Sequence, residues 1–206
     1  MDPRVILIGG SSHLGKSTLA RRMAAQPGWV HISTDSLARH PGRPWRPAPQ
    51  AVPPHVADHY LSLGVEELIA SVLTHYRGMA PMIEELVRRH ADDEAMERLV
   101  LEGSALWPET VACLQAPSTQ AIWLTAPGGL IAARIREESG YGSADQSGRM
   151  LIDKFIQRSL AFDEAMMAHV RRLGLAFVDV TESGDVESLA QLCLERMQPL
   201  DCPLRR

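Results

Sequence analysis

Five short apolar runs punctuate the chain at residues 4–9 (RVILIG), 29–33 (WVHIS), 98–102 (RLVLE), 121–125 (AIWLT) and 176–180 (AFVDV). None alternates cleanly between apolar and polar side chains, which is the pattern of strands covered on both faces, as in a parallel sheet. Between these runs the apolar period changes. Val65, Leu68, Ile69, Val72, Leu73 and Tyr76 recur at helical spacing, as do Leu151, Phe155, Phe162, Met166, Val170 and Leu173, so each set forms a core-facing helical stripe. Strand alternating with helix predicts a doubly wound α/β fold, a three-layer sandwich around a five-stranded parallel sheet.

Two stretches break the pattern. Pro41, Pro44, Pro47, Pro49, Pro53 and Pro54 force an irregular connection after the second strand, and residues 139–148 (SGYGSADQSG) separate two helical patterns. Neither is repetitive or of low complexity, so both read as functional loops.

With 206 residues and 45% hydrophobic content, the chain can bury one substantial core, and residues 1–206 are expected to form a single domain. The formal charge of −4 argues against a general nucleic-acid or anionic-membrane surface. Cys113, Cys193 and Cys202 are widely spaced and odd in number, which fits a reducing compartment. The first residues lack the pattern of a signal peptide, and no apolar window is long enough for a spanning helix, so a cytoplasmic protein is expected.

The first run leads into Gly10, Ser11, Ser12, His13, Leu14, Gly15, Lys16 and Ser17, which satisfy GxxxxGK[ST] at every fixed position and open a helical pattern from Thr18. Glycines at both ends let the backbone wrap close to phosphates and present N–H donors to them. Lys16 is expected to reach the β- and γ-phosphates of ATP, and Ser17 to supply a hydroxyl to Mg²⁺. His13 either approaches phosphate or is a variable loop side chain.

Asp35 ends the second strand, beside the phosphate loop in an open α/β sheet, where it can serve as a base for an acceptor hydroxyl or cap the helix that Ser36, Leu37 and Ala38 suggest. Glu102 ends the third strand, where it can hold a magnesium-bound water, share the base role, or be structural. Glu109 reads more simply as compensation for a helix dipole.

Residues 36–64 form the expected acceptor-binding loop, with Arg39, Arg43 and Arg46 either clamping an anionic acceptor or remaining solvated. Residues 134–158 form the expected lid, carrying Arg134, Arg136 and Arg149. Arg158 falls on the otherwise apolar stripe of the long helix, so it needs an anionic partner or a route to solvent. Phosphate contact by Arg134 and Arg158 would neutralise charge developing during transfer. His55 and His59 have a spacing that can bind metal, but their flanks lack the rest of such a motif. His31 reads as a packed strand residue.

These residues together resemble the small P-loop kinases, a group that includes the adenylate, shikimate and gluconate kinases. Gly9, Gly10, Ser11, Ser12, Gly15, Lys16, Ser17, Trp29, Asp35, Ser36 and Leu37 are similar to the chloramphenicol phosphotransferase family. In that family the aspartate is regarded as the base, which implies this role for Asp35. His13 and the proline-arginine stretch depart from the pattern. Residues 151–158 and the strand ending in Asp179, Val180 and Thr181 also resemble kinases related to 2-phosphoglycerate kinase, which implies that residues 181–185 lie near adenine. The resemblance implies a P-loop NTPase fold, ATP and Mg²⁺ as cofactors, a small-molecule acceptor, and a monomer or homodimer. Three functions remain open: a kinase acting on a hydroxyl of a small metabolite or antibiotic, a nucleoside monophosphate kinase, and an ATP-binding regulatory module.

Overall fold

The computed structural model describes residues 2–38, 42–46, 50–114 and 116–199. Five parallel strands, β1 (Val5–Gly10), β2 (Trp29–Ser33), β3 (Arg98–Glu102), β4 (Thr119–Thr125) and β5 (Phe177–Asp179), lie in the order β2-β3-β1-β4-β5. A two-residue strand, β6 (Gln198–Pro199), runs antiparallel to the start of β4. It was not anticipated, because two residues carry no periodic signal.

The helices are α1 (Lys16–Met23), α2 (Pro54–Ser62), α3 (Val65–Asp92), α4 (Pro108–Ala112), α5 (Gly128–Ser139), α6 (Gln146–Arg172) and α7 (Val186–Arg196). Side chains alternate across β1: Ile6 and Ile8 join Leu19, Ile131, Ile152 and Leu189 on one face. Val5 and Leu7 join Val72, Ile83, Val111 and Met166 on the other. Both faces of the sheet are therefore buried under helices, which is why the strands read as unbroken apolar runs. This is the three-layer α/β architecture expected from the sequence.

Some boundaries differ. β4 starts at Thr119, earlier than the apolar run, because Thr119 and Gln120 pair with Val5 and Ile6. β5 stops at Asp179, whose side chain accepts from the Thr181 amide and turns the chain into a 3-10 turn. α3 continues past Tyr76 through Pro81 to Asp92, its stripe extended by Met79, Ile83 and Val87. A proline costs that helix one backbone hydrogen bond, which packing of the stripe offsets. Most of the expected lid stretch is helical: α5 ends at Gly140 (φ 66°), and α6 begins after Asp145, whose carboxylate accepts from the Gly148 amide at 2.7 Å. Among the described residues, no helix is long and apolar enough to cross a membrane.

The chain winds from β1 out to β2 and β3, then crosses back over β1 to β4. This reversal places a crevice at the carboxyl ends of β1 and β3, where ligands gather in open α/β sheets.

Candidate functional site

The loop between β1 and α1 is shaped by residues that tolerate close approach. Gly10 has φ 134°, and a Cβ there would lie 2.6 Å from the Leu124 carbonyl oxygen. Gly15 caps α1 with φ 83°. His13 adopts φ 62°, a left-handed conformation that is uncommon outside glycine. Ser11 ties the loop to α6 by donating to the Ser159 carbonyl at 3.0 Å.

Lys16 is buried, with its Nζ donating to the Ser11 carbonyl at 2.5 Å. Burial lowers its pKa, opposed by the neighbouring Glu102 and Asp35 carboxylates. Among the described residues no carboxylate lies within ion-pair distance of Lys16. A buried ammonium so placed has capacity for a further anionic partner, as phosphate recognition requires.

Ser17 Oγ donates to Glu102 Oε1 at 2.9 Å, and Glu102 is 2% exposed. His31, on β2, has its Nε2 3.7 Å from the same carboxylate. A hydroxyl and a carboxylate in contact at the foot of the loop are hard oxygen donors that suit a magnesium ion keeping several waters. Ser17 and Glu102 would hold that cation. Among the described residues no group of three or more His, Cys, Asp and Glu side chains that could hold a metal gathers; His55 is exposed and His59 packs on Tyr60 with ring centroids 5.5 Å apart.

Asp35 sits in a 3-10 turn, Thr34–Ser36, whose N-cap is Ser33. Among the described residues no helix starts at Ser36, and the cap of this turn is Ser33 rather than Asp35. Asp35 lines both the phosphate cradle, formed by Ser12–Thr18 with Glu102, Gly103 and Ser104, and a larger cavity of about 430 Å³ beside it. That cavity is walled by Tyr76, Met79, Phe155, Phe162 and Arg158. A second groove of about 660 Å³, lined by Leu14, Thr18, Arg134, Glu138, Ser183, Gly184 and Asp185, flanks the loop on its other side. Part of the stretch expected near adenine therefore borders this groove.

The arginines divide by what they touch. Arg158 is half-buried, its guanidinium 5.5 Å from the Phe155 ring centroid and 5.9 Å from that of Phe162, and its charge acts on the Tyr60 and Tyr76 hydroxyls. Among the described residues it has no ion pair. Arg134 donates to the His13 carbonyl at 3.1 Å and faces the nucleotide-side groove. Arg43 lines the cradle and the 430 Å³ cavity and pairs with Glu138. Arg46 instead donates to the carbonyls of Arg43 and Trp45, both at 2.7 Å, so it staples its own loop. Arg149 is likewise spent on the carbonyls of Tyr141 and Gly142, and Arg136 stacks over Tyr141. Arg39 lies outside the described residues.

Several contributors were not anticipated. Tyr76 appeared only as a helix-stripe residue, yet it lines the 430 Å³ cavity, and burial pushes its hydroxyl up to about 12. Trp45 packs edge-on against Phe155 at 4.8 Å and tilted against His13 at 5.9 Å. Asp163 is 8% exposed, accepts from Thr125 Oγ1 at 2.9 Å, and leaves Oδ1 without a partner. Burial pushes its carboxyl up to about 6, against Thr125 and Lys16. Its position one turn after Ser159 and next to Phe162, on the buried side of α6, was a readable signal.

No protein-family model and no curated protein matches the sequence. Solved structures do share the fold. A sugar kinase from Janibacter sp. HTCC2649 aligns over 94% of this chain and 94% of its own, with TM-score 0.54 and 19% identity. A gluconokinase from Sinorhizobium meliloti 1021 aligns over 94% and 90%, with TM-score 0.53 and 19% identity. A deoxyadenosine kinase from M. mycoides aligns over 93% and 97%, with TM-score 0.52 and 12% identity. The chain thus shares the fold of these three kinases, as the motif led one to expect.

Proposed function

We propose that this protein is an ATP-dependent kinase that transfers the γ-phosphoryl group to a hydroxyl of a small, anionic acceptor. The observation that carries this reading is Asp35: a carboxylate lining both the phosphate cradle and the adjoining cavity. An acceptor hydroxyl in that cavity could reach Asp35 and the phosphate loop together.

Bound with Mg²⁺, ATP supplies the phosphoryl group and ADP as leaving group. Lys16 and the loop amides would hold the phosphate charge, while Ser17 and, through water, Glu102 would hold the cation. Asp35 accepts the hydroxyl proton as the acceptor oxygen forms its bond to phosphorus and the bond to the ADP oxygen breaks. Arg158, within cation-π distance of two phenylalanine rings and without a carboxylate partner among the described residues, attracts negative charge on the acceptor or on the group in transfer. Arg134 stands over the loop from the nucleotide side.

The test is a thermal-shift screen of hydroxylated acids, sugars, nucleosides, nucleoside monophosphates and antibiotics with a non-hydrolysable ATP analogue, followed by γ-phosphate transfer to the hits. Asp35→Asn is expected to slow transfer to the best acceptor by about 10²- to 10⁴-fold while ATP affinity stays within about twofold. Full transfer by Asp35→Asn would remove the base assignment. ATP binding with no transfer to any acceptor would favour a regulatory module, and transfer confined to nucleoside monophosphates would move the acceptor assignment to that class.

A further inference from the structure

Arg43 stands at the junction of the cradle and the acceptor cavity. Its side chain lines the cradle together with Lys16 and Ser17, and also the wall of the 430 Å³ cavity. Its charge is felt by His13 and Lys16, and Arg43 in turn feels the Asp35 carboxylate. The acidic group it pairs with is Glu138, near the end of α5, which lines the nucleotide-side groove. Glu138 also places its second oxygen 3.0 Å from Nε2 of His13, a nitrogen without a hydrogen bond.

The backbone around Arg43 is fixed by contacts that do not involve this ion pair. Tyr60 donates its hydroxyl to the Gly42 carbonyl at 3.0 Å. Arg46 donates to the two carbonyls already named, and Trp45 wedges its indole between Phe155 and His13. Anchor and reach are therefore separate, so the guanidinium can change partner while its loop stays in place. The two side chains of the pair are 48% and 46% exposed, and an ion pair that open to water contributes little. A phosphoryl group in the cradle offers two oxygens to the planar guanidinium fork, a stronger and more directional partner.

We propose that Arg43 contacts the γ-phosphoryl group of the donor and that Glu138 is the carboxylate it exchanges for that contact, so that the pair sets the preference for triphosphate over diphosphate. This rests on the nucleotide reading of the loop but not on the identity of the acceptor. Glu138 competes for Arg43 and adds negative charge beside the nucleotide groove. Its removal should strengthen triphosphate binding rather than weaken it.

The experiment is calorimetric titration of the Mg²⁺ complexes of ATP and ADP into the full chain and its Arg43→Ala, Arg43→Lys and Glu138→Gln variants, each first checked for an unchanged melting midpoint without nucleotide. Arg43→Ala is expected to weaken ATP by about tenfold and ADP by less than about twofold. Arg43→Lys should recover part of the loss, because an ammonium supplies the charge without the fork. Glu138→Gln should tighten ATP by about threefold. Equal losses for ATP and ADP in Arg43→Ala would overturn the proposal, as would a Glu138→Gln variant whose ATP affinity is unchanged or reduced. If the unmodified chain binds neither nucleotide, the kinase reading falls together with this one. If it binds both and Arg43→Ala keeps their ratio, only this inference falls.

Discussion

The two halves of the cleft are built in different ways. On the proposed donor side one uninterrupted stretch, residues 12–18, supplies most of the cradle, on backbone that takes positive φ at His13 and Gly15. On the acceptor side Asp35, Arg43, Tyr76 and Arg158 arrive from the turn after β2, the segment before α2, the middle of α3 and the middle of α6. Backbone donors read charge and spacing, and they serve any polyphosphate. Convergent side chains read shape, and any one of them can change without disturbing the sheet. On the proposed reading the protein carries a general phosphate site beside a separately adjustable acceptor site, with Asp35 and Arg43 lining both and α6 walling the acceptor cavity.

The sharpest way to break this division is Lys16→Met. Nucleotide affinity should fall by more than about 100-fold, since the ammonium meets the phosphates directly. The melting midpoint without nucleotide should hold or rise, because burial disfavours the charged ammonium. A parallel loss of both would mean that Lys16 is structural, and the donor side would lose its main ligand.

The helix that walls the acceptor cavity, α6, is probed by Asp163→Asn. The carboxyl is raised from 3.8 to about 6 in the folded protein, so the folded state binds more protons than the unfolded one between those values. Its contribution is favourable below about pH 4 and is lost as pH rises through about 6. The asparagine variant should therefore gain up to about 3 kcal/mol over the parent at pH 8, and no comparable gain near pH 3.5. Denaturant melts at the two pH values decide it, and a gain of equal size at both would remove titration of Asp163 as its cause.

On the acceptor side alone, Arg158→Ala should raise the KM for the acceptor by about tenfold with little change in ATP affinity. A variant that loses ATP affinity instead would place Arg158 with the donor. The smallest effect is expected for Arg46→Ala, which frees two loop carbonyls to solvent. Acceptor KM should rise by about two- to threefold with kcat and the melting midpoint nearly unchanged. A tenfold or greater loss of kcat would return Arg46 to the machinery.

The halves also differed in how much of them could be read in advance. The cradle was legible because its residues are neighbours in the chain and its fixed positions obey a spacing rule. Asp35, Glu102 and Arg158 were legible because each breaks a pattern, two at the ends of strands and one on an apolar stripe. Tyr76 and Trp45 break no pattern: one continues its helix stripe and the other sits among prolines. Asp163 does break one, and its signal went unread. Arg46 could not be told from Arg43 in sequence, since both are loop guanidiniums three residues apart. Backbone geometry turned one onto its own carbonyls and the other toward the cradle.

What the sequence by itself determined is whatever rests on local order: apolar runs that must be covered on both faces, and a glycine-bounded loop between a strand and a helix. What only the tertiary structure decided is which distant side chains meet. Winding β3 back across β1 to β4 brings α3 and α6 to the same edge of the crevice, and residues far apart in the chain then share one cavity. Packing of whole faces makes that choice, and local periodicity carries no record of it.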